Sequence, residues 1–533
     1  MASDRPDAIV IGTGPNGLAA ANVLADAGWE VVVLEANEQP GGACRSGALT
    51  EPGFVHDLFS SFYPLGAASP AMRALDLERH GLRWRNAPLV VAHPAPDGSC
   101  AVLSRDLDET AASLDAFAAG DGDAWRRLAG LWERVGEPFL ETLMSPFPPV
   151  KGAARLVRRL GLRGLLSFGR FAMLPVRRLG QEAFRGEGGR RLLAGNALHA
   201  DLSPDMPGGA VYGWVLCGLG QGVGFPVPEG GAGRLTGALL ARMRLAGAEL
   251  RCGQRVTAID VEDGRAVGVR TADGTRLGAR RAVLADVGAP ALYRELLPDH
   301  VVPARLRADL ERFQYDSSTV KVDWALDGPI PWSAADARRA GTVHVSDSVD
   351  TMADSYVHLA SKRIPDRPFL VMGQYAAFDS SRQPPGKETA WAYTHVPQDV
   401  RADAGPDGLQ GRWDDEEAAR FADRMEAEVE ALAPGFRRLI RARHIFTPLT
   451  MQAENANLVG GALNGGTTQI HQQLVFRPTV GLGRPETPIP GLYLASASAH
   501  PGGGVHGACG TNAARAALAG GPASWAVRRL ASR

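Results

Sequence analysis

Lysine and cysteine are scarce in this chain, and neither charge sign is in real excess. Only four of its 57 basic residues are lysine (Lys151, Lys321, Lys362 and Lys387); the rest are arginine. The formal net charge is −1, so there is no general electrostatic case for nucleic acid. The five cysteines, Cys44, Cys100, Cys217, Cys252 and Cys509, are scattered, odd in number and free of CxxC spacing. That argues against a disulfide scaffold or a zinc site and fits a reducing, cytoplasmic compartment. No basic segment followed by an apolar run opens the chain. The first strand-like run begins near residue 7, which leaves no room for a signal peptide. Residues 206–228 carry no charge, but their glycines and prolines argue against a membrane span; a buried helix followed by a loop is expected there. There is no fixed-period repeat and no low-complexity tract. At 533 residues and 45% hydrophobic content the chain is long enough for two or more domains.

The informative part is residues 7–57. Asp7-Ala8-Ile9-Val10-Ile11 reads as a short buried strand. Gly12-Thr13-Gly14-Pro15-Asn16-Gly17 comes directly after it, then a helical stretch from Leu18 to Ala27 closed by Gly28. A second strand, Glu30 to Leu34, ends on Glu35. Gly12 permits the tight turn, Gly14 lets backbone approach a pyrophosphate, and Gly17 lets helix and strand pack closely. Pro15 suits a first helical turn, whose N–H groups are unpaired anyway. The helix start offers those N–H groups and a partial positive charge to phosphates. Glu35 stands where a carboxylate can accept from a ribose diol.

The segment after Glu35 separates FAD from NAD. Pro40-Gly41-Gly42-Ala43-Cys44-Arg45 comes next, with no second crossover helix. The glycine pair lets the chain pass close to a cofactor, and Arg45 offers a planar fork suited to phosphate. Near the other end, the strand Pro490 to Ala495 leads into Ser496 to Ala508, rich in glycine, and a helix to about Leu518. Strand, glycine turn and helix start recur, now without a ribose acid. A helix start aimed at the N1–C2=O edge of a flavin would stabilise its anionic reduced form.

Between these ends the pattern alternates. Residues 1–105 read as the first part of an FAD-binding domain, 106–225 as a helical cap, and 226–300 as a second FAD-binding part opened by Pro228-Glu229-Gly230-Gly231-Ala232-Gly233. Residues 301–445 read as a strand-rich substrate domain and 446–533 as the third FAD-binding part. The Ser318 to Lys321 match to SxxK is a decoy, because strand alternation puts the two side chains on opposite faces. Gly218 to Gly222 is another, since Pro226 and Pro228 prevent a helix from opening at that turn. No dedicated NAD(P) domain is expected.

These stretches together resemble the FAD-dependent phytoene-desaturase-like oxidoreductases of the amine oxidase superfamily, and most nearly the branch of pyridine nucleotide-disulfide oxidoreductase domain-containing proteins. Phe476 to Gly483, His199 to Pro204 and Asn464-Gly465-Gly466 carry the same resemblance. It implies an α/β fold with a discontinuous Rossmann-like FAD-binding domain, plus an α+β substrate domain with a mixed sheet and helical cap. It implies Gly12, Gly14, Gly17 and Glu35 at the ADP moiety, Gly41, Gly42 and Arg45 at the phosphates, Val256 at the adenine, and Pro501, Gly504 and Val505 at the flavin ring. Relatives often carry glycine where Ser496 and Ser498 stand. More distant amine oxidases place an acid near Ala497, so its absence here weakens a specific amine oxidase reading.

The expected chemistry is dehydrogenation (desaturation) of a hydrophobic, isoprenoid- or polyene-like molecule by hydride transfer to flavin N5, with oxygen or a quinone taking the electrons. Such a step needs no strong base. His506 and His471 are the candidates for moving a proton, against the plainer reading of each as a structural histidine. His500 is read as shaping its turn, and Tyr63 as lining the cavity or the core. Alternatives are a flavin-dependent amine oxidase, a redox-neutral isomerase or saturase, and a non-catalytic lipid-binding protein like the Rab GDP-dissociation inhibitors. Residues 151–178 carry Lys151 and seven arginines with no acid, interleaved with leucine and phenylalanine. That pattern suits either peripheral contact with an anionic membrane or a helical cap with a solvated basic face.

Overall fold

The computed structural model describes residues 5–520. Four short apolar runs and one more polar strand build a five-stranded parallel sheet. Its order is Leu492–Leu494, Ala282–Ala285, Ala8–Ile11, Val31–Leu34, Glu249–Arg251. Strands buried on both faces must be apolar at every position, and Ala8–Ile11, Val31–Leu34 and Ala282–Ala285 are. Ala8, Val10, Val31, Val33 and Leu284 face the helices Pro15–Asp26, Gly233–Leu245 and Ala508–Ala519. Ile9, Ile11, Val32, Leu34 and Val283 face the antiparallel sheet of Val256–Glu262, Arg265–Thr271 and Arg276–Gly278. The turn at Asp263-Gly264 joins the first two of those strands, with Asp263 and Gly264 both at positive φ. The strand at 492–494 comes from the far end of the sequence, so one sheet holds both termini of the described chain together.

The second unit is a seven-stranded mixed sheet, ordered Ile440–Phe446, Ser318–Leu326, Glu388–Val396, Leu370–Gln374, Ala340–Val345, Leu89–Pro94, Cys100–Leu103. Residues 89–103 therefore correct the expected segmentation. The sequence pattern groups them with the nucleotide-binding part, but Leu89–Pro94 pairs in parallel with Ala340–Val345. Sequence periodicity gives strand type, whereas the sheet a strand joins depends on long-range partners. One face of this sheet, with Val320, Val322, Ala392, Met372 and Val343, packs on Phe421, Met425 and Val429 of the helix Asp415–Leu432. That helix begins on Asp414, whose side chain accepts from the Glu417 N–H. The other face carries Thr319, Lys321, Tyr393, Val371 and Thr342 towards a cavity. Helices Asp121–Met144, Val150–Met173, Val176–Ala183, Glu187–Ala197 and Gly209–Gly222 cap it. The charge-free stretch contains the last of these helices, as expected, with Trp214 and Cys217 buried. No helix among the described residues is long and apolar enough to cross a membrane.

Candidate active site

The glycine turn after Ala8–Ile11 is built by contacts no larger residue could make. Gly12 sits at φ +96°, in the left-handed region. A Cβ on Gly14 would lie 2.6 Å from Asp286 Oδ2, and one on Gly42 would lie 2.9 Å from Gly14 Cα. The segment Gly41-Gly42 thus lies directly against the turn. Gly17 packs against the Gly12 carbonyl and donates its N–H to Asp286 Oδ2 at 2.9 Å. The helix Ala508–Ala519 packs along Pro15–Asp26, and Gly510 touches the Asn16 backbone. Two helix starts therefore meet at one place, with the partial positive charge of each directed there.

A continuous cavity of about 1050 Å³ runs past this point. One end is walled by Glu35, Gln254 and Val256; the middle by Gly12, Gly14, Gly42 and Asp286; the far part by Pro501, Gly504, Val505 and His506. From there it opens into a chamber walled by Phe139, Phe147, Val215, Phe225, Trp391 and Leu474, among others. That volume tops the ~300–1,000 Å³ usual for one ligand, leaving room for an extended dinucleotide and a second molecule. Bare backbone at Gly14 and Gly42, two helix starts and a carboxylate at a strand end suit an FAD in extended form.

The sequence-predicted residues divide into three groups. Gly12, Gly14, Glu35, Gly42, Val256, Pro501, Gly504, Val505 and His506 share the cavity wall. Gly17 and Gly41 stand just behind it, Gly41 against the Thr236 hydroxyl. Glu35 is held at the end of its strand by the Thr13 N–H (2.9 Å), the Thr13 hydroxyl and the Asn37 N–H (3.0 Å). Arg45 and His471 are corrections, for neither reaches the cavity. The Arg45 guanidinium donates to the Gly42 carbonyl (3.1 Å) and to Glu454, and lies over Phe59. It fixes the glycine pair rather than offering its fork to phosphate. His471 is exposed, while its neighbours Ile470 and Gln473 line the wall.

His506 also departs from the proton-carrier role. Its Nδ1 accepts the Ala508 N–H at 3.0 Å, which leaves Nε2 to donate to the Gly502 carbonyl at 3.2 Å. Burial pushes its pKa down to about 4, so the ring is neutral and both nitrogens serve backbone. It caps the start of the last helix and shapes the Gly502 to Gly504 loop. His500, read as shaping its turn, is buried with its ring against the Ser145 carbonyl at the end of the helix Asp121–Met144.

Sequence reasoning missed four residues. Lys321, set aside with the SxxK decoy, is on the cavity wall and fully committed, to the Asp57 carbonyl and both Asp323 oxygens. Asp57 pins the two units together. It accepts from Ala232 N–H, Ser46, Ser61 and Arg382, and Arg382 also bonds Asp379 and the Pro228 carbonyl. Burial pushes its pKa up, but Arg382 and these donors outweigh that and hold it below the usual carboxylate range. Arg477 is fully buried without a carboxylate partner and grips four carbonyls beside the cavity. Asp286 closes the glycine turn from the end of the strand Ala282–Ala285. A lone charged residue ending an apolar strand was the only signal for Asp286, and Arg477 was marked only by its place in the Phe476 to Gly483 resemblance.

Asp286 gives a pH prediction. Burial, reinforced by Glu35 and opposed by the Gly17 N–H, raises its pKa to about 7. The native carboxyl stays protonated between about pH 4 and 7 while the unfolded one is ionised. Stability from this group is thus complete below pH 4 and falls by roughly 1.4 kcal/mol per pH unit up to 7. Thermal unfolding of Asp286→Asn is expected to lose that slope and keep the wild-type midpoint near pH 4. An unchanged slope would show that other groups set it.

An elongated cavity with a dinucleotide-type turn, shared between the two ends of the chain and opening on an apolar chamber, defines a two-domain flavoprotein oxidoreductase. The model of flavin-containing amine oxidoreductases matches residues 16–425, and the chain belongs to that family. It is an FAD-dependent oxidoreductase of the phytoene-desaturase-like kind. The mouse pyridine nucleotide-disulfide oxidoreductase domain-containing protein 2 is 28% identical over 95% of this chain and 92% of its own length. Phytoene desaturase of Fusarium fujikuroi is 27% identical over 95% of this chain and 87% of its own. Among solved structures, putrescine oxidase with bound putrescine aligns with a TM-score of 0.59 at 14% identity, covering 97% of this chain and 98% of that one. At that identity the likeness concerns the fold.

Proposed function

We propose that this enzyme dehydrogenates a lipophilic, isoprenoid-like small molecule at a carbon–carbon bond, with oxygen or a quinone as the final electron acceptor. The observation that carries the reading is the character of the chamber wall. It is mainly apolar, and neither the capping His506 nor the ion-paired Lys321 has a free lone pair to serve as base. Loss of hydride leaves a carbocation on the substrate, and the neighbouring C–H then sheds its proton to a weak acceptor such as a wall carbonyl or a water, so no strong base on the protein is needed to complete the double bond. Gly12, Gly14 and Glu35 would hold the ADP half of FAD, Gly42 the phosphate region, Val256 the adenine, and Pro501, Gly504 and Val505 the ring. When bound, the flavin supplies the two-electron acceptor. The chain's own residues orient the substrate and keep water out. Phe139, Phe147 and Trp391 bury its apolar length, and His506 holds the loop beside it in one shape. That desaturases stand among the relatives supports the same class.

The test is anaerobic mixing of the FAD-loaded protein with phytoene, limonene and putrescine in turn. Bleaching of the flavin by an alkene and not by putrescine is expected. Bleaching by putrescine alone would move the enzyme to the amine oxidases. Turnover that requires prior reduction of the flavin would make it an isomerase or saturase.

We also propose that substrate enters from an anionic membrane surface. The helix Val150–Met173, broken at Gly161, exposes Val150, Leu162, Leu166 and Met173, the last three between 67% and 78%. Ile470, Phe476 and Val480 are exposed on the segment that Phe147 tethers through Gly483. Phe147, Pro149, Ala172 and Ile470 also line the cavity, so this apolar surface adjoins its wall. Arg155, Arg159 and Arg170 bond groups on neighbouring helices. Lys151, Arg158 and Arg163 have no acidic partner in ion-pair range among the described residues. Sedimentation with vesicles containing phosphatidylserine is expected to carry the wild type down. The pair Leu162→Asp and Leu166→Asp should abolish that while leaving the melting temperature unchanged. Equal sedimentation of the pair would exclude this face.

A further inference from the structure

Among the polar groups in the mainly apolar chamber wall, one cluster is built around two histidines. Strand alternation puts Thr342 and His344 on the same face of Ala340–Val345, two residues and so about 6.6 Å apart. His199, at the end of the helix Glu187–Ala197, covers His344 with its Nε2 2.8 Å from His344 Nε2. His199 and Thr342 both line the cavity. Asp201, two residues on, locks the His199 loop by accepting from Thr468 N–H (2.7 Å) and from the Thr467 and Thr468 hydroxyls. The spot is therefore rigid.

Its polar groups are unmet by protein. The Thr342 hydroxyl is buried with no hydrogen-bond partner, a state that is destabilising until a partner completes it. The imidazole pair settles which groups donate. His344 Nδ1 is buried and unpartnered, and Gly195 presses on it: a Cβ there would lie 2.9 Å from His344 Cε1 and nearer still to Nδ1. A Gly195 Cα–H thus points at Nδ1, which suits a lone pair and leaves no room for an acceptor. The His344 proton then sits on Nε2 and is donated to His199 Nε2. His199 must carry its own proton on Nδ1, and no protein acceptor meets that N–H. Burial keeps both rings neutral, with His199 pushed down to about 4.

We infer that His199 and Thr342 form a subsite for an oxygen function, a hydroxyl or carbonyl, on the substrate, so that an oxygenated lipophile is bound in preference to the hydrocarbon of the same skeleton. His199 Nδ1–H donates to the substrate oxygen, and the Thr342 hydroxyl donates to the same oxygen or accepts from an alcohol. The subsite deepens the dehydrogenase reading and depends on it only for the choice of probes. Both groups line the same cavity as the glycine loop at Pro501 to Val505, so with the oxygen anchored at the sheet the reacting carbons are those of the molecule's apolar part.

Binding of geraniol and of myrcene, an alcohol and a hydrocarbon on one isoprenoid skeleton, is measured by calorimetry on the oxidised FAD-loaded protein without oxygen. The quantity read is the ratio of the two affinities. His199→Phe is expected to weaken geraniol about tenfold and to leave myrcene within about twofold. His199→Gln, which keeps an N–H donor, should retain most of the geraniol affinity. Thr342→Val removes a hydroxyl the protein does not use, so it should fold normally and lower the geraniol-to-myrcene ratio by about three- to tenfold. An unchanged ratio in both His199→Phe and Thr342→Val, or no binding of either probe to the wild type, overturns the subsite. Flavin that is never bleached by any alkene, with the ratio still falling in the variants, would instead sink the dehydrogenase reading and keep the subsite.

Discussion

Gly510→Ala is expected to give a protein that retains little FAD and melts far below the wild type. The added methyl would lie on the Asn16 carbonyl oxygen, 2.5 Å from its carbon and 3.0 Å from Asn16 Cα. Those atoms are backbone at the start of the helix Pro15–Asp26, so no side-chain rotation relieves the overlap. Neither helix can withdraw. Ala19 and Ala20 on one, and Ala513, Ala514 and Ala517 on the other, belong to the same close-packed cluster under the parallel sheet. Overpacking a core costs about 1–3 kcal/mol when side chains can shift, and a backbone clash sits at or above the top of that range. The displacement falls where both helix starts face the cavity, so the nucleotide grip is lost along with stability. Gly237→Ala is the control. It lies within the helix Gly233–Leu245 with nothing within 4 Å of the added methyl, and a helical glycine replaced by alanine gains about 0.5–1 kcal/mol. Flavin-to-protein ratio after gel filtration, with thermal melting, reads both. A Gly510→Ala protein with full flavin and an unshifted melt would remove the helix contact from the account of cofactor binding.

The same contact explains why so much was visible in the sequence and why some was not. The turn at Gly12 to Gly17, the strand ending on Glu35 and the pair Gly41-Gly42 each have a local physical cause: a positive φ, a close approach, a helix start. Local causes leave local patterns, and the structure brings those residues to one cavity together with the Pro501 to Val505 loop from the other end of the chain. Arg45 misled because an arginine after a glycine pair looks the same whether its fork faces a phosphate or the Gly42 carbonyl. His506 misled for a similar reason, since only its contacts with Ala508 and Gly502 show that both nitrogens are taken. Residues 89–103 have the pattern of strands, but their partner at 340–345 lies some 250 positions away. His199 was marked only by the His199 to Pro204 resemblance and Thr342 by nothing, because their significance lies in what fails to meet them.

Arg477 is the extreme case of such hidden dependence, and Arg477→Met is expected to be as damaging as any substitution in the described chain. Its side chain is wholly buried, and burial lowers its pKa, yet a guanidinium keeps its proton in any protein environment. No carboxylate among the described residues bonds it, and Asp316 and Asp201 act on the charge only through space. The compensation comes from carbonyl oxygens: Asn464 at 2.6 Å, Ala497 at 2.7 and 2.9 Å, Thr467 at 2.9 Å and Gly466 at 3.3 Å. These belong to two loops, 464–467 and 496–498, and Asn464, Gly465, Ala497 and Ser498 all line the cavity. Methionine matches much of the length but donates nothing, so four carbonyls lose a partner at about 1–3 kcal/mol each, less whatever water can restore. A loss on the order of 4 kcal/mol or more is expected, with the loops released and flavin retention falling in step. Arg477→Lys keeps the charge with three donors on a narrower head, so it should fall between the two. That order, wild type above lysine above methionine in both melting temperature and flavin occupancy, is the result that matters. If methionine and lysine lowered the melt equally while flavin stayed bound, Arg477 would be holding up the fold alone, and the two loops would owe their shape at the cavity to something else.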